Sequence, residues 1–282
     1  MPAQTAAPTP APALRAQDDT NCPAYRDDET PIVPRIAIAQ VEFSGRLQLP
    51  ISDQQAIAAE VTEHTHGDRR EEVIEEALER VRFGWRNQGY FNVEVRGDPK
   101  TLTSSPVNER LSLRVEVDEG TQYRLGRITF KNNEVIRDTV ALRQAFAIRD
   151  GDILSQEKIG KGLEELRRIY GKFGYLNFEP HPETKIAEQK KPIQVDVDME
   201  EGKQFRLGVV NVLAADAALR QDFLRDFPMK PGDLYKSDLF EPFLVEHSWM
   251  FPGCPCRSWS KRTDDKSGAV TFSFDLRPCP EN

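Results

Sequence analysis

The chain has 282 residues, 38% hydrophobic and 30% charged, and its 38 basic against 46 acidic side chains leave a formal charge of -8 at pH 7. That length exceeds one typical module and suits several small ones, each with a modest core. With no Lys/Arg cluster to neutralise a phosphate backbone, nucleic acid is excluded as a partner. No apolar run approaches the roughly 18 residues of a helical membrane span.

Residues 1–34, with the stretch "PAQTAAPTPAPALRAQDD", have the Ala/Pro-rich composition of an extended, disordered tail. The tail lacks a basic start and an apolar stretch, so it is not a signal peptide, and an export signal is not visible in the sequence. From residue 35 the pattern becomes periodic. A strand at "QVEF" with Val41 and Phe43 precedes a helix near Ile57 and Val61 and a second helix carrying Ile74, Leu78, Val81 and Trp85. Alternation then predicts strands at Phe91, Val93 and Val95 and at Leu111, Leu113, Val115 and Val117.

The same order follows twice more. "YRLGRITF" reads as a strand, "RDTVALRQAF" as a short amphipathic helix, and "QEKIGKGLEELRRIYGKFG" as a longer helix. Its apolar stripe is Ile159, Leu163, Leu166, Ile169 and Tyr170, and Ser155 is its expected N-cap. Strands at Leu176 and Phe178 and at "IQVDVDM" close that unit. The third unit keeps the first strand, helices at "ALRQDFLRDF" and "SDLFEPFLVEHSW", and a last strand "VTFSFDL". Two helices can bury their stripes on one face of a three-stranded sheet, leaving the other face and the edges open.

The units are related by an echo. "VEVDEGTQYRLGRITF" at 115–130 returns as "VDMEEGKQFRLGVVNV" at 197–212. Gly-Asp pairs recur at Gly67-Asp68, Gly151-Asp152 and Gly232-Asp233, so there are three copies. Gly89-Tyr90-Phe91 matches Gly174-Tyr175-Leu176, whereas the third copy has "FPGCPCRSW" near Gly253.

These residues carry a resemblance. A β-α-α-β-β unit with Gly-Tyr plus an aromatic or aliphatic residue before strand two, a strand ending at Glu119-Gly120 or Glu201-Gly202, and then "YRLGxIxF" resembles the polypeptide-transport-associated (POTRA) domain of outer-membrane assembly factors. The resemblance implies an α+β chain of three tandem POTRA-like domains at 35–120, 121–202 and 203–282, the third divergent, each a three-stranded mixed sheet covered on one face by two helices. It implies periplasmic, outer-membrane-associated domains that receive unfolded outer-membrane proteins or dock an envelope assembly protein. The last strand runs into "RPCPEN", so the barrel that follows such domains is expected to be absent, and insertase activity does not carry over.

Open sheet edges are templates for adding an extended chain. The family places strand two at an edge, which points to Phe91, Asn92, Val93, Glu94 and Val95 and to Leu176, Asn177 and Phe178. Pro180 cannot donate to a ladder, so the first unit's edge is the preferred site. The alternative is an adaptor docking one fixed partner, such as a separate barrel or lipoprotein.

The repeated glycines and aromatics read as fold determinants. His64 and His66 read as loop residues, and no metal or other cofactor is expected. The acidic run "REEVIEEALER" reads as a solvated helix face. With no Ser/His/Asp constellation or phosphate loop, no catalytic residue is expected; an enzyme or metal site would have to use the divergent "FPGCPC". A disulfide from Cys254 or Cys256 to Cys279 is expected, leaving Cys22 to pair with the remaining thiol, to pair between chains or to stay free.

Overall fold

The computed structural model describes residues 35–185, 192–251 and 259–278. Cys22, Cys254, Cys256 and Cys279, and with them every expected disulfide, lie outside the described residues.

Domain one runs β1 (Arg35–Ser44), α1 (Ile51–His64), β2 (His66–Gly67), α2 (Arg70–Asn87), β3 (Glu94–Ser104) and β4 (Asn108–Asp118). In β4 every second residue from Leu111 to Val117 is buried and the residues between them are partly or fully exposed. On α2, Val73, Ala77, Leu78, Val81 and Trp85 recur at helical spacing and are buried. The two apolar faces close on each other. β1 pairs in parallel with β4, and β3 pairs antiparallel with it, giving the sheet order β2-β1-β4-β3. A parallel pair needs a long crossover, which the helices and β3 supply.

Domain two repeats the plan with β5 (Arg124–Lys131), α3 (Thr139–Arg143), α4 (Gln156–Lys172), β6 (Glu179–Lys185) and β7 (Pro192–Glu200), in the order β5-β7-β6. Domain three has β8 (Arg206–Leu213), α5 (Ala217–Asp226), α6 (Ser237–Glu246), β9 (Trp259–Asp264) and β10 (Ala269–Asp275), in the order β8-β10-β9. Ser155 caps α4 as expected, its Oγ accepting from the Lys158 amide.

Two sequence expectations need correction. Domain one has a fourth strand, because Gly67 and His66 pair with Ile36 and Ala37, while His64 is the last residue of α1. Among the described residues no group of three His, Cys, Asp or Glu side chains is placed to hold a metal. The short helix α3 buries Leu142 and leaves Val140 exposed.

The acidic residue after the central strand has a structural task. Glu119 is buried and accepts from the Gln48 amide (2.6 Å), the Leu49 amide (3.1 Å) and Trp85 Nε1 (3.0 Å), tying the β1–α1 loop and α2 to the end of β4. Glu201 does the same in domain two, accepting from the Val135 amide (3.0 Å) and the Tyr170 hydroxyl (2.7 Å). Burial, reinforced by Glu201, pushes that hydroxyl far above the usual tyrosine range. Phe130 faces Val197 in domain two as Val212 faces Phe274 in domain three, so the position of Glu201 falls to Pro278. Domain three relies on rings instead: Phe223 sits 4.7 Å from Phe274 and 5.3 Å from Phe243, and Phe240 sits 4.4 Å from Phe272.

Candidate functional site: strand edges and domain joints

In each domain the second long strand, β3, β6 or β9, lies at a sheet edge. Along an antiparallel edge strand, alternate residues turn their amide and carbonyl toward the partner or toward the open side. Proline fits such a strand only where its nitrogen faces away from the ladder. Pro99, opposite Leu113, therefore marks Val95, Gly97 and Pro99 as the outward set of β3. In domain two the positions matching Val95 and Gly97 are Pro180 and Pro182, opposite Met199 and Val197. The edge of β6 thus lacks two successive donors, while β3 keeps Val95 and Gly97 before its own proline.

The structure separates the residues expected on these edges. Glu94 and Val95 open β3, with Glu94 turned toward β4 by the alternation. Phe91 and Asn92 form a turn, and Val93 is buried beneath it. The cause is Gly89, whose φ of +87° reverses the chain after α2 so that the Tyr90 amide returns to the Trp85 carbonyl at 3.1 Å. Leu176 and Asn177 form the corresponding turn after Gly174 (φ +81°). Phe178 is buried and stacks on Tyr170 at 3.9 Å between ring centroids.

Those turns are joints between domains. The Tyr123 amide donates to the Gly89 carbonyl at 2.8 Å, and the Phe205 amide donates to the Gly174 carbonyl at 2.8 Å. Gln122 Nε2 reaches the Gln88 carbonyl (2.8 Å), and Gln204 Nε2 reaches the Phe173 carbonyl (3.0 Å). Phe91 packs against the core of domain two, and Leu176 against the core of domain three. Asn92 Nδ2 meets the Tyr123 hydroxyl at 3.4 Å, while Asn177 Nδ2 meets Asp265 Oδ1 at 2.7 Å. A Cβ on Gly89 would stand 2.7 Å from the Tyr123 carbonyl oxygen, so the joint requires glycine. The opposite end of each echo is anchored inside its own domain: Arg124 Nη1 donates to the Gly151 carbonyl (2.9 Å) and Arg206 Nη1 to the Gly232 carbonyl (3.0 Å).

One joint residue carried no repeat signal. Asn87, at the end of α2, accepts the Glu157 amide at its Oδ1 (2.8 Å) and so caps α4 of the next domain. Gly97, also missed, was signalled only by the register of Pro99.

No helix among the described residues is long and apolar enough to cross a membrane. Residues 123–202 match the model of the POTRA family, described as surface antigen variable number repeat. A putative outer membrane protein assembly factor of Treponema pallidum (strain Nichols) is 23% identical over 215 residues, covering 73% of this chain and 25% of its own length. Outer membrane protein assembly factor BamA of Neisseria meningitidis serogroup B is 21% identical over 184 residues, covering 61% of this chain and 22% of its own. The crystal structure of POTRA domains 3–5 of Haemophilus influenzae BamA superposes with a TM-score of 0.62 at 15% identity, covering 86% of this chain and 96% of that one. The chain spans about a quarter of the length of the curated relatives it matches. Residues 123–202 thus match the POTRA family, and the chain has the α+β fold of tandem POTRA domains.

Proposed function

We propose that this chain is a non-enzymatic periplasmic scaffold that receives extended polypeptides by β-augmentation during outer-membrane protein assembly or secretion. Its clients on this reading are unfolded outer-membrane proteins or an envelope assembly protein, with association to an outer-membrane barrel. The role in assembly is supported by the similarity to the two assembly factors. The mode of binding is supported by one observation: β3 is an edge strand whose outward Val95 and Gly97 amides are available, whereas the matching positions of β6 are both proline. An added strand gains main-chain hydrogen bonds at such an edge whatever its side chains, which suits a receiver of many sequences.

The test is Val95→Pro, which gives β3 the proline that β6 carries at Pro180. Titration with peptides from barrel strands should show a loss of binding to domain one while its amide spectrum stays dispersed. Unchanged affinity in a folded variant would defeat the reading. Capture from an envelope extract separates two modes of use: a mixed set of barrel precursors indicates a client receiver, and a single stoichiometric protein indicates an adaptor.

A further inference from the structure

The second strand of domain three is an edge with no proline along it. All six residues of β9 are exposed, and among the described residues β9 pairs only with β10. At its hairpin the Gly268 amide donates to the Asp264 carbonyl at 2.8 Å, which turns Asp264 toward the ladder. Alternation then turns Arg262 and Ser260 inward and leaves Trp259, Lys261 and Thr263 with their amides facing out. The register agrees independently. Trp259 lies opposite Phe274 as Pro182 lies opposite Val197, and Lys261 lies opposite Phe272 as Thr184 lies opposite Val195. Three successive outward donors are therefore present on β9, where β3 has two before its proline and β6 has lost two.

We infer that β9 is a second docking edge, and that it takes an extended acidic polypeptide segment as a fourth strand. This rests on the β-augmentation reading above, and it adds a site and a charge preference. Lys261 and Arg262 lie side by side on the strand and present cations to its two faces. The neighbouring carboxylates are engaged elsewhere, Asp264 with Ser267 Oγ (2.6 Å) and the Lys266 amide (3.0 Å), and Asp265 with Asn177 (2.7 Å). On the helix side, Trp259 stands edge-on to Phe240 at 5.2 Å, and Leu239 beside Phe240 on α6 is exposed. An apolar side chain of the incoming strand can rest there while an acidic one, on the opposite face, meets Arg262, the pairing that stabilises adjacent strands. A second copy of this chain is a poor occupant, because full antiparallel overlap of two β9 edges sets Lys261 against Lys261.

The experiment uses the full chain and a fluorescent peptide of alternating valine and glutamate, read by anisotropy and by amide shifts of Trp259, Lys261 and Thr263. Lys261→Pro reproduces at β9 the arrangement that domain one carries at Pro99. It should weaken the peptide at least tenfold, Arg262→Glu should weaken it several-fold, and a valine–lysine peptide should bind worse than the valine–glutamate one. Wild-type affinity in Lys261→Pro, or equal binding of the two peptides, overturns the inference. If Lys261→Pro does not fold, peptides methylated on alternate amides decide: one alternate set should abolish binding to the wild-type chain and the other should not, and equal tolerance of both overturns it. Loss in Val95→Pro alone would keep the domain-one edge and reject β9, whereas retention in both variants would reject augmentation itself.

Discussion

Domains two and three share element order, strand register and joint geometry, yet they solve two problems oppositely. Domain two pins the end of its central strand with Glu201 and Tyr170 and closes its edge with Pro180 and Pro182. Domain three has Pro278 at the position of Glu201, fills its interior with packed phenyl rings, and leaves Trp259, Lys261 and Thr263 along an open edge. The module thus tolerates a change of cohesion and a change of accessibility together. A proline costs an outer edge strand little, because the amide it removes bonded nothing within the domain. That makes the edge the place where copies of one fold can differ in what they bind.

Alkaline pH probes both cores, because Tyr170 in domain two and Tyr235 in domain three are each raised by burial. Tyr235 in domain three is pushed up to about 12 by burial, with the nearby Glu241 adding to it. A raised tyrosine favours the neutral phenol in the folded domain. Its contribution is complete below the unfolded value near pH 10 and is lost as pH climbs from there to about 12, at roughly 1.4 kcal/mol per unit. Hydrogen exchange followed by domain should show domains two and three both loosening across that window, and Tyr235→Phe should flatten the profile of domain three alone. A profile unchanged by Tyr235→Phe would assign the loss to other groups.

A smaller effect sharpens the difference in cohesion. Glu201→Ala leaves the Tyr170 hydroxyl and the Val135 amide without their acceptor, at a cost of about 1–3 kcal/mol to domain two. Adding Tyr170→Phe removes one of those stranded groups, so the double variant should be less destabilised than the two single losses summed. Denaturant midpoints of the four chains give the coupling directly, and strict additivity would mean that the pair is not a pin.

Much of this architecture was legible from residue pattern alone. Alternation in Leu111 to Val117, the stripe ending at Trp85 and the echo of "YRLG" specify strands, helices and copy number, because burial imposes periods of 2 and 3.6. The extent of the edge was less legible. "YFNVEV" alternates well enough to read as strand, but the positive φ at Gly89 turns Phe91 and Asn92 toward domain two, and only the turn geometry shows this. Asn92 and Asn177, expected on edges, bridge domains instead, because a side chain in a turn after a helix faces whatever follows in the array. The outward register of β3, β6 and β9 was already written in Pro99, Pro180 and Pro182. Reading it required knowing which residues they face.

The two joints provide the smallest test. Each uses a glycine carbonyl and a glutamine side chain in the same way, so a rigid repeat would predict equal strength. The first joint has one addition: Asn87 caps α4 across the boundary, whereas α6 has Lys236 at its N-cap and no side-chain cap. An uncapped helix start leaves an amide to be satisfied by water, and losing a side-chain cap costs about 1 kcal/mol. Asn87→Ala should therefore weaken α4 by that amount and raise interdomain motion at the first joint toward that of the second. Residual dipolar couplings of domains one and two, compared with those of domains two and three, would read the change. If the first joint stays as ordered as before, the carbonyl and glutamine contacts suffice, and Asn87 acts on the helix alone.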